Sequence, residues 1–256
     1  MTKFYTDYAL HGVLTEKREK PIVAGQITKS VNLFIVCHYA RCVNLTSGLA
    51  FQLREGYESP YSHSKLGVSM LNREQALALL QEWHPEPHLV QHALASEAVM
   101  RGLAVQLGED EELWGLTGLL HDLDYPLTHD KPEQHGLLGA ERLEGLLPEP
   151  ALHAIRAHNG EMTGVLPEST FDFALRCGET VTGLVVTAAL VRPSGMEGMQ
   201  VSSLKKKMKD KAFAASVNRD CIRQCVQAGV DLDTFLALAI RSMSAIDAEL
   251  GLRKTA

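Results

Sequence analysis

The sequence predicts an all-α fold, and three observations carry that reading. From residue 70 onward apolar residues recur at helical spacing, and no strand-like alternation interrupts them. Capping residues and Pro or Gly stops stand at the ends of these periods. No segment of the chain repeats another, so a solenoid is excluded. With 256 residues, 45% hydrophobic and 22% charged, the chain is long enough for a substantial core in one large or two small domains.

The elements follow in order. Asn72 is placed to N-cap a helix over 73–83, which the Pro85-Glu-Pro87 turn ends. A long helix over 88–107 carries Leu89, His92, Ala95, Val99, Leu103 and Leu107 on one stripe, with Gly108 as its stop. The next begins near Asp110, carries Leu113, Trp114, Leu116, Leu119 and Leu120, and ends before Pro126. Helices are expected over 132–147 and 149–158. A strongly apolar helix over 169–191 is ended by Pro193. After a basic stretch, two more helical patterns cover 218–228 and 231–250, with Asp231 and Asp233 as helix-start residues.

Residues 1–69 differ. They mix β-prone pieces such as Val31-Asn-Leu-Phe-Ile-Val36 with turn-formers such as Gly56-Tyr-Glu-Ser-Pro60. The division expected is therefore an N-terminal extension, 1–69, and a helical domain, 70–256. The extension is read either as a flexible or loosely packed appendage or as sequence upstream of the true start, with Met70 initiating. Abundant peptides from before Met70 in the natively expressed protein would exclude the second.

A net charge of −6 gives no global attraction to nucleic acid or to an anionic membrane. The early apolar run from Val31 to Ala40 is broken by Asn32 and His38, and it is far short of the roughly 20 residues that span a bilayer. The cysteines, Cys37, Cys42, Cys177, Cys221 and Cys225, are odd in number and form no CxxC pair. A disulfide framework does not fit, and a cytoplasmic location is expected. Cys221 and Cys225 share a helical face, where buried core thiols are a better reading than zinc ligands.

The chemistry gathers around His121-Asp122. A His and an Asp closing an apolar helix are costly in a dry core unless something neutralises the carboxylate. A divalent metal does so, and imidazole with carboxylate suits zinc, iron, manganese or cobalt. The plain alternative is a helix end, with His121 capping carbonyls and Asp122 opening a turn. His92 lies on the apolar stripe of its own helix, where one His is more often a core residue than a ligand. Glu179 sits among Leu175, Thr182 and Gly183, with an ion pair to Arg176 as its structural alternative.

A His on one helix, an adjacent His-Asp on another and a late acid on a third resemble the HD-domain superfamily of metal-dependent phosphohydrolases. The resemblance covers residues 71–250. It is echoed in His121-Asp-Leu-Asp-Tyr125, His135-Gly-Leu-Leu-Gly-Ala-Glu141, Ala154-Ile-Arg-Ala-His-Asn159 and Thr182-Gly-Leu-Val-Val-Thr-Ala-Ala-Leu-Val-Arg-Pro193, and it runs on through the lysines to Phe213-Ala-Ala-Ser-Val-Asn-Arg219. It implies an HD helical bundle with additional C-terminal helices, in which His92, His121, Asp122 and Glu179 hold a divalent metal. The family's usual late acid is Asp, so Glu179 is a departure that leaves geometry and metal preference open. His135 and His158 match by position the ligands added in two-metal members. Two ions, bridged by Asp122, are favoured over one, and Fe, Mn, Co, Zn and Mg all remain candidates. Asp124 is read either as orienting the water or shuttling a proton, or as holding a ligand His.

Lys205, Lys206, Lys207, Lys209 and Lys211, with Arg192 before and Arg219 after, form a basic exception in an acidic chain. They are read either as a solvated face or as the binding surface for a substrate with several phosphates. RNA is the weaker expectation, because no stacking aromatics are interleaved. The function expected is hydrolysis of a phosphate ester or anhydride of a small molecule, a nucleotide above all, by metal-activated water. A di-iron HD-type oxygenase and a non-catalytic nucleotide sensor are the alternatives. A homo-oligomer is compatible with Thr182 and Gly183 on the apolar helix, which permit close packing.

Overall fold

A computed structural model describes residues 70–83 and 86–254, and the extension expected over 1–69 lies outside them apart from its junction at Met70. The described residues are helical throughout; their one β feature is an isolated bridge between Glu144 and Leu147. The helices are α1 (Arg73–Trp83), α2 (Pro87–Leu107), α3 (Glu111–Leu120), the short α4 (Tyr125–Thr128), α5 (Leu137–Arg142), α6 (Glu149–His158), the short α7 (Gly160–Thr163), α8 (Thr170–Leu190), α9 (Val201–Lys209), α10 (Arg219–Arg223) continued by a 3₁₀ turn, and α11 (Leu232–Ala245).

Local chemistry sets most boundaries. Asn72 Oδ1 accepts from Gln75 N (2.9 Å) and Gln75 Oε1 accepts from Asn72 N (3.0 Å), a reciprocal cap on α1. Gly108 ends α2 at φ +75, donating back to Ala104 O. Ser169 and Asp172 form the same kind of reciprocal cap on α8. Asp231 caps α11 through the N–H groups of Asp233 and Thr234.

Helix α8 is the central element. It packs against α2, α3, α6, α9, α10 and α11. By length and composition it could cross a membrane, but its residues are mostly buried among these neighbours, as in a core helix. Helices α2 and α3 form a tight hairpin. A Cβ at Gly118 would stand 2.8 Å from Ser96 O, so only glycine lets the two backbones come this close. Buried Glu97 of α2 binds Arg73 Nε (2.6 Å) of α1 and Arg101 Nε (2.9 Å), and Arg101 reaches on to Glu112 of α3.

Three expected elements differ. The helix expected over 132–147 shrinks to α5, because Gly136 (φ +87) and Gly145 (φ +74) turn the chain at either side. The one expected over 231–250 stops at Ala245, and the pattern over 218–228 divides into α10 and a 3₁₀ turn. The basic stretch, read only as charge, is helix α9. Its Leu204 and Met208 are buried, and they anchor one face while the lysines line the other. Cys221 and Cys225 are buried free thiols, both pushed up by burial, to about 12 and about 11.

Candidate metal centre

Four histidines and one carboxylate converge inside the helical bundle. His92 comes from the middle of α2, His121 and Asp122 from the end of α3, His135 from the turn before α5, and His158 from the end of α6. His92 Nε2 lies 3.2 Å from His121 Nε2, and His158 Nε2 lies 3.1 Å from His135 Nε2. Asp122 Oδ1 stands 3.2 Å from His121 Nε2, 3.2 Å from His135 Nε2 and 3.3 Å from His158 Nε2, while Oδ2 is 3.5 Å from His92 Nε2. Glu179, from the middle of α8, completes a second grouping. Two overlapping triads, His92–His121–Glu179 and His121–Asp122–His158, each bring three ligand atoms within 4.8 Å of one another.

The outer nitrogens decide what the inner ones do. His121 Nδ1 donates to Gly118 O (2.8 Å) and His158 Nδ1 to Ile155 O (2.6 Å), each using an unpaired carbonyl of its own last helical turn. His135 Nδ1 donates to Asp124 Oδ1 (2.9 Å). His92 Nδ1 faces Thr182 Oγ1 (3.1 Å), whose proton is already committed to Glu179 O (2.6 Å), so here too the ring nitrogen is the donor. In its neutral form each of the four rings therefore carries the proton on Nδ1 and turns the Nε2 lone pair inward. Lone pairs 3.1–3.2 Å apart, pointed at one another and at a carboxylate oxygen, repel unless a cation lies among them. Imidazole and carboxylate donors in this arrangement fit a divalent transition metal.

The electrostatics agree. Burial holds His92 below its ordinary range and takes His121 down to about 3, against the pull of Asp122, so both rings are neutral as ligands must be. His135 is pushed up to about 10; burial opposes this, but bonds to Asp122 and Asp124 outweigh it. Asp122 is held well below the carboxylate range by the surrounding imidazoles in spite of its burial. Burial takes Glu179 up to about 8, with the Asp122 charge adding to the rise. Both shifts run in the same direction: they favour a cationic His135 and a neutral Glu179, which lessens the negative charge that a bound cation would otherwise offset.

Asp124 is fully buried, and its oxygens are engaged: Oδ1 with His135, Oδ2 with the N–H groups of Gly136 and Gly139 (2.8 Å each). Of the two roles read for it, this geometry supports holding a ligand His and not shuttling a proton. It also explains Gly136-Leu-Leu-Gly139. A Cβ at Gly136 would stand 2.7 Å from Ile155 O and 3.0 Å from His158 Cε1, so the glycine lets His135 and His158 meet. Asp124→Asn is expected to weaken metal binding about 10- to 100-fold, the usual cost of losing such a support. Titration of the metal-free variant with Mn²⁺ measures it, and unchanged affinity would remove this role.

Sequence reasoning missed Thr182, Gly136, Gly139 and Arg176 as parts of this centre. An ion pair between Arg176 and Glu179 is the structural alternative that the sequence offers for Glu179. It turns instead to α6, donating to Ala157 O and His158 O (2.9 Å each), pairing with Glu161, and donating through Nε to Gln224 Oε1 (2.7 Å). The only advance signal for the carbonyl-fixed histidines was their place in the last turns of their helices.

The residues of the basic set have different surroundings. Arg192 is bound into its own turn by Gly195 O, Ser194 Oγ and Glu197 O. Arg219 donates to the carbonyls of Ala214, Val217, Asp210 and Phe213, stitching the loop before α10. Both guanidinium groups hold backbone carbonyls of their own loops, which limits the donors each can turn to a phosphate. Lys205 pairs with Asp233 (2.7 Å), and Lys207 lies over the Phe213 ring at 3.9 Å. Lys206, Lys209 and Lys211 are exposed.

A helical bundle that brings His, His-Asp, His, His and a late acid close together is the arrangement that the resemblance to the HD-domain superfamily implied. Residues 89–192 match the family model described as HD domain. Among curated proteins, it is similar to Ribonuclease Y of Desulfotalea psychrophila, 25% identical over 146 residues, which is 57% of this chain and 26% of the relative. Ribonuclease Y of a Nitratiruptor species is 29% identical over 170 residues, 63% of this chain and 31% of the relative. That of a Sulfurovum species is 27% identical over 146 residues, 57% and 27%. The chain thus spans less than a third of the length of these relatives. No solved structure matches it.

Proposed function

We propose that this protein is a metal-dependent phosphohydrolase acting on a nucleotide-type phosphate ester or anhydride. The observation that carries the reading is the set of four inward Nε2 lone pairs gathered on the Asp122 carboxylate. A bound divalent cation supplies Lewis acidity and lowers the pKa of water in its shell from 15.7 towards about 7.

The chain's own residues do the rest. Asp122 offers one oxygen to the His121, His135 and His158 side and the other to His92, which suits a carboxylate shared between two positions. Asp124 and the backbone carbonyls of Gly118 and Ile155 fix the rings, so the site is organised before substrate arrives. Glu179 adds a second acid on the His92 side. The longer arm of Glu in place of Asp reaches the same cluster from the core of α8.

Glu179→Ala is expected to remove metal from the His92–His121 side while leaving the His135–His158 side competent. Metal stoichiometry on the purified variant reads this, and an unchanged stoichiometry would exclude Glu179 as a ligand. In the wild type, metal uptake at that side strengthens as pH rises through about 8, because the proton on Glu179 competes with the metal.

A second reading follows from the relatives, which are named as ribonucleases. It takes RNA as the substrate, and it stands against the sequence expectation that nucleic acid is the weaker partner. The exposed lysines of α9 would then contact backbone phosphates away from the metal centre. The deciding experiment is metal analysis of protein purified without chelator, followed by turnover of nucleoside phosphates and of a short RNA after Mn²⁺, Fe²⁺ or Co²⁺ loading. RNA cleavage that falls steeply with salt supports the second reading. A protein that neither binds metal nor turns over any substrate would defeat both.

A further inference from the structure

Tyr125 stands at the rim of the metal centre, and neither the sequence reading nor the mechanism above gives it work. It opens α4, three residues after Asp122, and its N–H donates to Asp122 O (2.9 Å), which ties its backbone to the ligand's own turn. Its ring lies edge-on to His135, with centroids 5.6 Å apart and planes at 77°. It is tilted against His129 at 6.5 Å.

The pattern of exposure locates an open side of the site. The four histidines are 1–10% exposed at their side chains and Asp122 is 20% exposed, and Glu179 is likewise only partly buried. Solvent therefore reaches Asp122, which gives a substrate one approach to the cluster. Tyr125 is half-buried there, followed on the same short helix by exposed Leu127, and the Asp122 charge acts on its phenol. A phenol keeps its proton at neutral pH, its ordinary pKa being about 10, so it can donate a hydrogen bond to an anionic oxygen. It is an uncharged donor beside an anionic cluster, with a ring fixed by His135.

We propose that Tyr125 is a substrate-contacting residue, its hydroxyl donating to a non-bridging oxygen of the phosphoryl group that enters beside Asp122. The inference rests on the phosphohydrolase reading for its ligand class, but binding tests it separately from turnover. Inorganic phosphate is titrated into Mn²⁺-loaded wild type, Tyr125→Phe and Tyr125→Ala, with metal content measured in each. The expected result is full metal content in Tyr125→Phe and phosphate binding weakened about 10-fold, the loss typical of one hydrogen bond to a charged group. Equal phosphate affinity in wild type and Tyr125→Phe would overturn it. So would loss of affinity only in Tyr125→Ala, which assigns the ring and not the hydroxyl, or a wild type that binds no phosphate. Turnover of a nucleoside phosphate by the wild type, run alongside, tests the phosphohydrolase reading by itself.

Discussion

Asp122→Asn is expected to abolish turnover, by about 1,000-fold or more, equivalent to about 4 kcal/mol. Asp122 Oδ1 meets the Nε2 atoms of three histidines at 3.2–3.3 Å, a convergence that no other side chain among the described residues provides. An amide there removes the negative charge that offsets a cation. It also leaves the imidazole lone pairs facing a neutral group. Metal content measured by elemental analysis should fall with activity. A variant that keeps both its metal and its turnover would show that Asp122 is neither bridge nor ligand. Because the helix ends are fixed by backbone carbonyls and by Asp124, the fold itself should survive, and circular dichroism checks that.

Arg176→Met is expected to destabilise the protein by about 3 kcal/mol or more, because it strips hydrogen bonds from buried carbonyls and breaks an ion pair with one deeply buried partner. Arg176 is 2% exposed and holds the end of α6 through Ala157 O and His158 O. His158 is the last residue of that helix, so the loss should reach the metal centre as well. The expected fall in Tm is roughly 6–12 °C for a domain of this size. An unchanged Tm would mean that the neighbouring chain satisfies those carbonyls without it.

The partner adds a pH dependence. Arg176 holds the Glu161 carboxyl below its ordinary value of 4.5, although burial works the other way. A carboxyl lowered on folding stabilises the native state above its unfolded pKa, and that contribution is lost as pH falls through the folded value. Glu161→Gln should therefore flatten the stability curve below about pH 4.5, and a variant with the wild-type acid limb would place the effect elsewhere.

The relation between sequence and structure differs from element to element. Caps were legible because they are local: Asn72, Gly108 and Asp231 act on groups within a few residues. The collapse of the 132–147 helix was not legible. Gly136 and Gly145 turn the chain at its two sides, and Asp124, from a different part of the chain, holds the first turn by taking the N–H groups of Gly136 and Gly139. The lysine stretch concealed a helix because its charge masked Leu204 and Met208, a buried pair one turn apart.

By itself the sequence determined that the protein is all-α, and through its resemblance to the HD-domain superfamily it nominated His92, His121, Asp122, His135, His158 and Glu179, which the fold brings close together. Apolar period, caps and residue type are properties of the chain read along its length. Only the tertiary structure decided which nitrogen of each ring faces inward, because that depends on partners such as Thr182 and Asp124 contributed by other turns of the fold. It likewise decided that Arg176 serves α6 and not Glu179, and that Arg192 and Arg219 bind their own loops. A long cation is available to any acceptor within its reach, and distance along the chain does not say which acceptor folding brings there.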